Sequence, residues 1–280
     1  MSAENSVHMR QPAWLFVPGD RPDRYAKAAE RSDIVIIDLE DAVAPGDKQT
    51  ARDALLEASH NLPDYGLDPQ RTVIRINAAG TEDRRQDIDL LRRLPFTHIM
   101  LPKVESAADC EDMAGYSVIA LIETARGVRG LADIVTSPYI IGLFWGAEDL
   151  IASLGGDSSR NADGTYRAVA IHARSQVLLA GKAAGLSVLD SIYADIKDLE
   201  GLRAEALDAA GSGFSGKVAI HPSHIPVIRE AFRPTEDQII WAEAVVAKAE
   251  QTSGAFTYEG AMIDAPLLAH ARIIMARAKK

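Results

Sequence analysis

Runs of β-branched and aliphatic residues return along the chain at regular intervals, separated by longer stretches of small and straight-chain residues. The first kind predicts strands over 14–17, 33–38, 72–76, 98–101, 118–122, 140–144, 187–190 and 217–220. Residues 34–37 and 118–122 are almost unbroken apolar runs, the pattern of a strand covered on both faces. The second kind predicts helices over 24–30, 48–59, 82–93, 106–113, 126–134, 166–184 and 198–210. Gly185 and Gly211 stand where two of these should stop. Two more helices, 235–251 and 266–278, follow the last strand.

Eight strands, seven intervening helices and a helical tail are the count of an α/β fold, a (β/α)8 TIM barrel with a C-terminal helical extension. The barrel is expected at 10–232 and the extension at 233–280. Strands recur about every 29 residues between Trp14 and Lys217, close to the roughly 30 that about 250 residues in eight units require. An open doubly wound sheet would want a glycine-rich phosphate loop after an early strand. The turn after the second strand reads EDAVAPG, which lacks that spacing, and no P-loop sequence occurs.

Charge and cysteine content narrow the class. The chain carries 30 Lys and Arg against 40 Asp and Glu, a formal net charge of -10 over 280 residues. Without a basic block this argues against nucleic acid as a partner, while a local basic patch stays compatible with a small anionic ligand. The one cysteine, Cys110, excludes an internal disulfide framework and a multi-thiolate zinc site. No apolar run reaches the roughly 18 residues that span a bilayer. Residues 1–10 are polar and lack a signal-like stretch, so a cytoplasmic protein with no membrane partner is expected.

In a barrel, functional groups gather where strands end, and nearly every predicted strand here ends in charge. The second finishes in Asp38, Glu40 and Asp41; the third holds Arg75 and is followed by Asn77; the fourth runs into Lys103. The fifth runs into Glu123, the sixth meets Glu148 and Asp149, the seventh ends at Asp190 and the eighth at His221. Glu123 and Asp149, with no histidine triplet nearby, suit a hard divalent cation with oxygen ligands, Mg2+ foremost. Arg75 suits a substrate carboxylate with its planar fork. Such a pairing would hold a 2-oxo or 2-hydroxy acid and polarise its carbonyl.

Plainer readings stand beside these. Glu123 and Asp149 could be helix-start charges, Arg75 a buried partner of Glu40 or Asp41, and His221 a structural histidine. Glu40 and Asp41 fit water-mediated roles as well as direct ones. Lys103 could be the Schiff-base lysine of a metal-free aldolase, but surrounding carboxylates would keep it protonated. Arg21, Arg24 and Lys27 recur at three-residue intervals after the first strand, close to one helical face. That positive edge suits phosphate, or is an ordinary solvated helix. Asp264, in the segment GAMIDAP, would cap the last helix or serve chemistry.

Seven segments together resemble the citrate lyase beta subunit-like family of Mg-dependent acyl-CoA lyases and aldolases. They are WLFVPGDRP at 14–22, IIDLEDAV at 36–43, VIRIN at 73–77, LPKVE at 101–105, ALIET at 120–124, GAEDL at 146–150 and IHP at 220–222. The resemblance spans nearly the whole chain in consistent order. It implies a (β/α)8 barrel assembled as a homotrimer, and Mg2+-dependent carbon–carbon lysis or condensation of acyl-CoA esters. By that resemblance Arg75 binds the carboxylate of a 2-oxo acid (glyoxylate, pyruvate or oxaloacetate), while Glu123 and Asp149 ligate Mg2+. Arg21 and Lys27 match residues that contact the phosphates of coenzyme A. The GAMIDAP segment is similar to the C-terminal piece of malyl-CoA and citramalyl-CoA lyases, which closes over a neighbouring subunit's site, with Asp264 as acid/base. Glu40, Asp41 or a metal-held water would take the substrate's hydroxyl proton. The expected substrate is a malyl-, citramalyl- or citryl-CoA type of 3-hydroxyacyl-CoA, cleaved to acetyl-CoA and a 2-oxo acid. The alternatives are the citryl-thioester-cleaving subunit of a multi-subunit citrate lyase, a CoA-independent metal aldolase for hydroxy-oxo acids, and a non-catalytic barrel scaffold.

Overall fold

A computed structural model of the chain describes residues 11–252 and 254–278, so the polar segment at 1–10 lies outside the described residues. Eight parallel strands follow in chain order: β1 (Ala13–Pro18), β2 (Ile34–Asp38), β3 (Thr72–Arg75), β4 (His98–Leu101), β5 (Ser117–Ile122), β6 (Ile140–Trp145), β7 (Ser187–Asp190) and β8 (Gly216–Ala219). Each pairs with the next, and β8 returns to β1, which closes the barrel. The expected (β/α)8 architecture is the one observed. Helices α1 (Tyr25–Arg31), α2 (Lys48–His60), α3 (Glu82–Leu91), α4 (Ala125–Ile134), α5 (Ala147–Ser153), α6 (Ala168–Ala183) and α7 (Leu199–Ser212) connect the strands.

The two-residue period of a strand decides what the barrel holds. Trp14, Ile36, Val73, Met100, Leu121 and Phe144 belong to one buried cluster in its interior, each worth roughly 1.5–3 kcal/mol relative to exposure. Two residues further on, the same inward face carries Asp38 after Ile36, Arg75 after Val73 and Glu123 after Leu121. The polar groups therefore stand on a packed apolar floor at the strand ends.

Three expectations need correction. The β4–β5 connection is a 3-10 helix at Ala107–Met113, not an α-helix. Ser106 and Asp109 form a capping box there, and the Asp109 carboxylate also accepts the Glu105 amide, which winds the chain tightly from its first residue. Helix α7 runs through Gly211 to Ser212. Its stop is Gly213, whose φ of 103° supplies the left-handed turn a helix end needs. Gly185, with φ 73°, does end the preceding helix. The tail is not wholly helical either: a hairpin of β9 (Phe256–Tyr258) and β10 (Ala261–Ile263) interrupts it. Helices α5 and α8 (His224–Phe232) are additional to the expected set.

The chain divides into two compact units between Ile228 and Arg229. In the second, α9 (Glu236–Ala249) and α10 (Ala265–Ala278) share a core of Ala242, Val245, Ile263, Ala271 and Ile274. Thr235 and Gln238 cap α9 reciprocally. Among the described residues no helix is long and apolar enough to cross a membrane.

Candidate active site

The strand ends are tied together through Asp38. In the β2–β3 register Asp38 lies directly opposite Arg75. Its two oxygens accept from Arg75 Nε at 2.7 Å and Nη2 at 2.6 Å. The same oxygens accept the backbone amides of Glu40 and Ala42, each at 2.9 Å. One buried carboxylate thus locks a guanidinium fork and shapes the turn after β2. Gly19 makes room for that turn: its amide donates to the Asp38 carbonyl at 2.8 Å, and a Cβ there would lie 2.8 Å from the same oxygen.

Arg75 is further confined by the Phe16 ring, 4.5 Å from the guanidinium carbon. Its Nη1 lies 3.2 Å from Glu40 Oε2. Burial works against its charge, but Asp38 outweighs burial and holds the pKa of Arg75 above its usual range. Glu40 is raised by its own burial, with Arg75 and Lys103 opposing. Lys103 Nζ donates to Glu40 Oε1 and stands 3.5 Å from Asp41 and 4.0 Å from Glu123.

Lys103 occupies the left-handed region with φ 53°, an arrangement that costs a side-chain-bearing residue about 1–2 kcal/mol. The turn aims its backbone amide at Glu123 Oε1, 3.0 Å away, while the side chain folds back to Glu40. Burial would lower its pKa, but the Glu40 hydrogen bond and the neighbouring acids raise it. A lysine held cationic in this way is a poor Schiff-base nucleophile.

Glu123, at the end of β5, is 2% exposed. The helix-cap reading fails for it, because Thr124 caps α4 by accepting the Gly127 amide. Burial, then the charges of Asp149 and Glu40, push Glu123 up to about 8. Asp149 lies in the first turn of α5, whose N-cap is Gly146. Gly146 is needed as glycine: a Cβ there would lie 2.8 Å from Glu123 Oε2 and 2.9 Å from its Cβ. A buried acid that also feels the charge of a second one is costly without a cation. Among the described residues no three His, Cys, Asp or Glu side chains form a ready-made cage. That donor set fits Mg2+, which keeps several waters and takes one or two carboxylates plus substrate oxygens.

The structure therefore brings Glu40, Arg75, Lys103 and Glu123 together, with Asp41 and Asp149 acting on them through charge. Other sequence candidates are placed differently. Arg21 is paired with Asp23 at 2.9 and 2.8 Å on the surface, ahead of a 3-10 turn at Pro22–Arg24. Arg21 and Lys27 accordingly do not share one regular helical face, since α1 begins only at Tyr25. Asp264 belongs to the second unit, where Oδ1 accepts the Leu267 amide at 3.2 Å and caps α10. His221 pairs with Ser223 Oγ at 2.7 Å, the structural reading. Burial raises the Cys110 thiol to about 11, which leaves it inert.

Two further residues support the site: Lys48, which lies in no motif, and Asn77, the last residue of VIRIN. Lys48 Nζ donates to the Leu39 and Glu40 carbonyls at 2.8 and 2.7 Å and to Asn77 Oδ1 at 2.9 Å. Asn77 donates to the Leu39 carbonyl at 2.9 Å. Both hold the backbone from which Glu40 projects.

Comparison with known proteins identifies the family. The chain is 52% identical over 267 residues to a citrate lyase subunit beta-like protein of Mycobacterium tuberculosis, covering 95% of each chain. It is 30% identical over 307 residues to the mitochondrial citramalyl-CoA lyase of Rattus norvegicus, covering 99% of this chain and 88% of that one. The crystal structure of CitE from M. tuberculosis in complex with magnesium, acetoacetate and coenzyme A superposes with a TM-score of 0.90. Sequence identity to it is 50%, over 98% of this chain and 100% of that one. Residues 13–222, nearly the whole barrel, match the HpcH/HpaI aldolase/citrate lyase family, and the chain belongs to it.

Proposed function

We propose that this chain is a Mg2+-dependent carbon–carbon lyase that cleaves a carboxylated 3-hydroxyacyl-CoA, of the malyl-, citramalyl- or citryl-CoA type, to acetyl-CoA and a 2-oxo acid. The family supports carbon–carbon cleavage, and the magnesium and coenzyme A bound in the CitE structure support the metal and the thioester. The observation that carries the residue assignment is Glu123, a buried acid facing Asp149 beside the pinned guanidinium of Arg75.

Glu123 and Asp149 would hold the magnesium ion. When bound there, the ion supplies a divalent charge that polarises the substrate's hydroxyl and carboxylate oxygens. Arg75 grips the outer edge of the substrate carboxylate, and Asp38 fixes the fork so that little reorganisation remains on binding. Glu40, buried beside Lys103 and Arg75, would receive the hydroxyl proton; Asp41, exposed at the same turn, is the less sheltered choice. Cleavage leaves the enolate of acetyl-CoA, and Asp264 of a neighbouring copy in a homotrimer returns a proton to its carbon. Arg21 and Lys27 engage the phosphates of coenzyme A, and the enzyme works in the cytoplasm.

The test is a panel of malyl-, citramalyl-, citryl- and 3-hydroxy-3-methylglutaryl-CoA, assayed with and without Mg2+, with both products measured. Turnover of at least one thioester that vanishes with chelator, and in Glu123→Ala and Asp149→Ala, is expected. Cleavage of free hydroxy-oxo acids alone would favour the CoA-independent aldolase. Activity only on a carrier-linked thioester would favour a citrate lyase subunit, and no turnover at all a scaffold.

A further inference from the structure

We infer that a buried charge network behind the barrel wall, centred on Asp190 and Lys217, positions the segment that carries Asp149 and so sets the affinity of the cation site from outside it. The inference rests on the reading of Glu123 and Asp149 as cation ligands. Alternation along the strands places the network: Phe144, Leu189 and Val218 fill the barrel interior, so Trp145, Asp190 and Lys217 beside them point outward, toward the helices.

Lys217 is 0% exposed, and each of its three ammonium protons has an acceptor. These are Asp190 Oδ2 at 3.0 Å, the Ser191 carbonyl at 2.6 Å and Glu205 Oε1 at 2.6 Å. Asp190 Oδ1 accepts from Arg174 Nε at 2.8 Å and from the Trp145 indole at 2.7 Å. Glu205 accepts from Arg160 Nη2 at 2.7 Å and from the Tyr166 hydroxyl at 3.1 Å. Breaking a buried ionic cluster of this kind costs about 3–5 kcal/mol, whereas an apolar replacement of the whole set is often neutral. Stability alone is therefore a weak reason for the network to exist.

Its contacts reach three residues just ahead of Asp149: Trp145, Ala147 and Glu148. The Trp145 indole is held by Asp190, and the Tyr166 ring packs edge-on against it with centroids 5.3 Å apart. The Ala147 amide donates to Ser191 Oγ at 3.2 Å, one residue from Asp190. Glu148 Oε1 accepts from Ser159 Oγ at 2.7 Å, and Ser159 adjoins the Arg160 that Glu205 holds. Three anchors, at Trp145, Ala147 and Glu148, thus precede Asp149, and Gly146 between the first two packs against Glu123. None of these side chains reaches the strand-end cluster itself, which makes them positioning residues.

Magnesium titration calorimetry on the full chain tests this. Trp145→Phe keeps the ring and deletes the indole N–H; it is expected to raise the Mg2+ Kd roughly 10-fold or more, the usual effect of losing an outer-shell partner. Ser191→Ala should shift Kd the same way by less. In turnover, Trp145→Phe should raise the Mg2+ concentration for half-maximal rate while the thioester KM stays within about twofold of wild type. Arg84→Gln, which breaks the half-buried pair between Arg84 of α3 and Asp112 of the 3-10 helix, should lower Tm and leave the Mg2+ Kd unchanged. Glu123→Ala and Asp149→Ala separate the two readings: if they bind Mg2+ like wild type, the ligand assignment falls, and this inference with it. If they lose Mg2+ while folded Trp145→Phe and Ser191→Ala bind it with wild-type Kd, the ligands stand and the positioning network is overturned.

Discussion

Asp38, one letter of the IIDLEDAV segment, ties together more of the site than the acids beside it. It accepts four hydrogen bonds, two from Arg75 and two from the turn that presents Glu40. Asp38→Asn would leave a buried guanidinium with half its partner, at a cost of roughly 3–5 kcal/mol. Urea unfolding should register that loss, and kcat/KM should fall with it. Arg75→Lys should fold but lose the two-pronged grip, lowering kcat/KM by roughly 100-fold in steady-state assays. At this scale the sequence was legible in kind but not in pairing. Arg75, Glu40, Lys103 and Glu123 were readable as charges at strand ends. That Asp38, and not Glu40 or Asp41, is the main partner of Arg75 depends on β2–β3 register, which no local pattern specifies. Lys48 was silent, and Asn77 was visible only as a letter of VIRIN, for the same reason: they act through backbone carbonyls that only the folded turn brings near.

Strands were the most legible elements, because a buried parallel strand must be apolar along its length. β4 and β7 begin and end at the predicted residues. Short elements escaped. α5 has seven residues, too few to display a helical period, yet it carries Asp149. The β9–β10 hairpin has three residues per strand and turns through Glu259 and Gly260, both with positive φ. Asn-Gly or Asp-Gly is the usual signature of such a turn, so Glu-Gly concealed it. Gly146, by contrast, was visible as a letter and gained its meaning only from the approach of β6 to Glu123. Gly146→Ala is expected to displace Glu123 and weaken Mg2+ binding by 10-fold or more with little loss of helix content. Calorimetry alongside circular dichroism would check both halves of that expectation.

For the whole molecule, the buried ions behind the wall set a limit in acid. Burial opposes the charge of Asp190, but Lys217 and Arg174 outweigh it and hold the carboxyl below its ordinary value of 3.8. A depressed folded-state pKa means that the unfolded chain takes up its proton first as pH falls. The contribution is complete above the unfolded value and disappears as pH drops through the folded one. Asp190→Asn should therefore show a stability deficit that is constant near neutrality and shrinks in acid, as read from urea midpoints across the pH range.

The proposed roles of Asp264 and of Arg21 and Lys27 give a further expectation. Asp264→Asn should slow proton exchange at the methyl group of acetyl-CoA while Mg2+ binding persists, as followed by NMR. Arg21→Ala and Lys27→Ala should raise the thioester KM roughly two- to tenfold at unchanged kcat, because exposed charges are partly screened.

Every proposed metal and carboxylate ligand lies between Asp38 and Asp149, yet the ring closes only through β7 and β8. Cutting the chain at the exposed turn after Gly185 would give one fragment that owns all those side chains and another that owns none. The first fragment alone should be silent toward magnesium, and mixing the two should restore binding by complementation. Possession of the chemical groups and possession of the site are then separable properties, divided by a single break in the backbone.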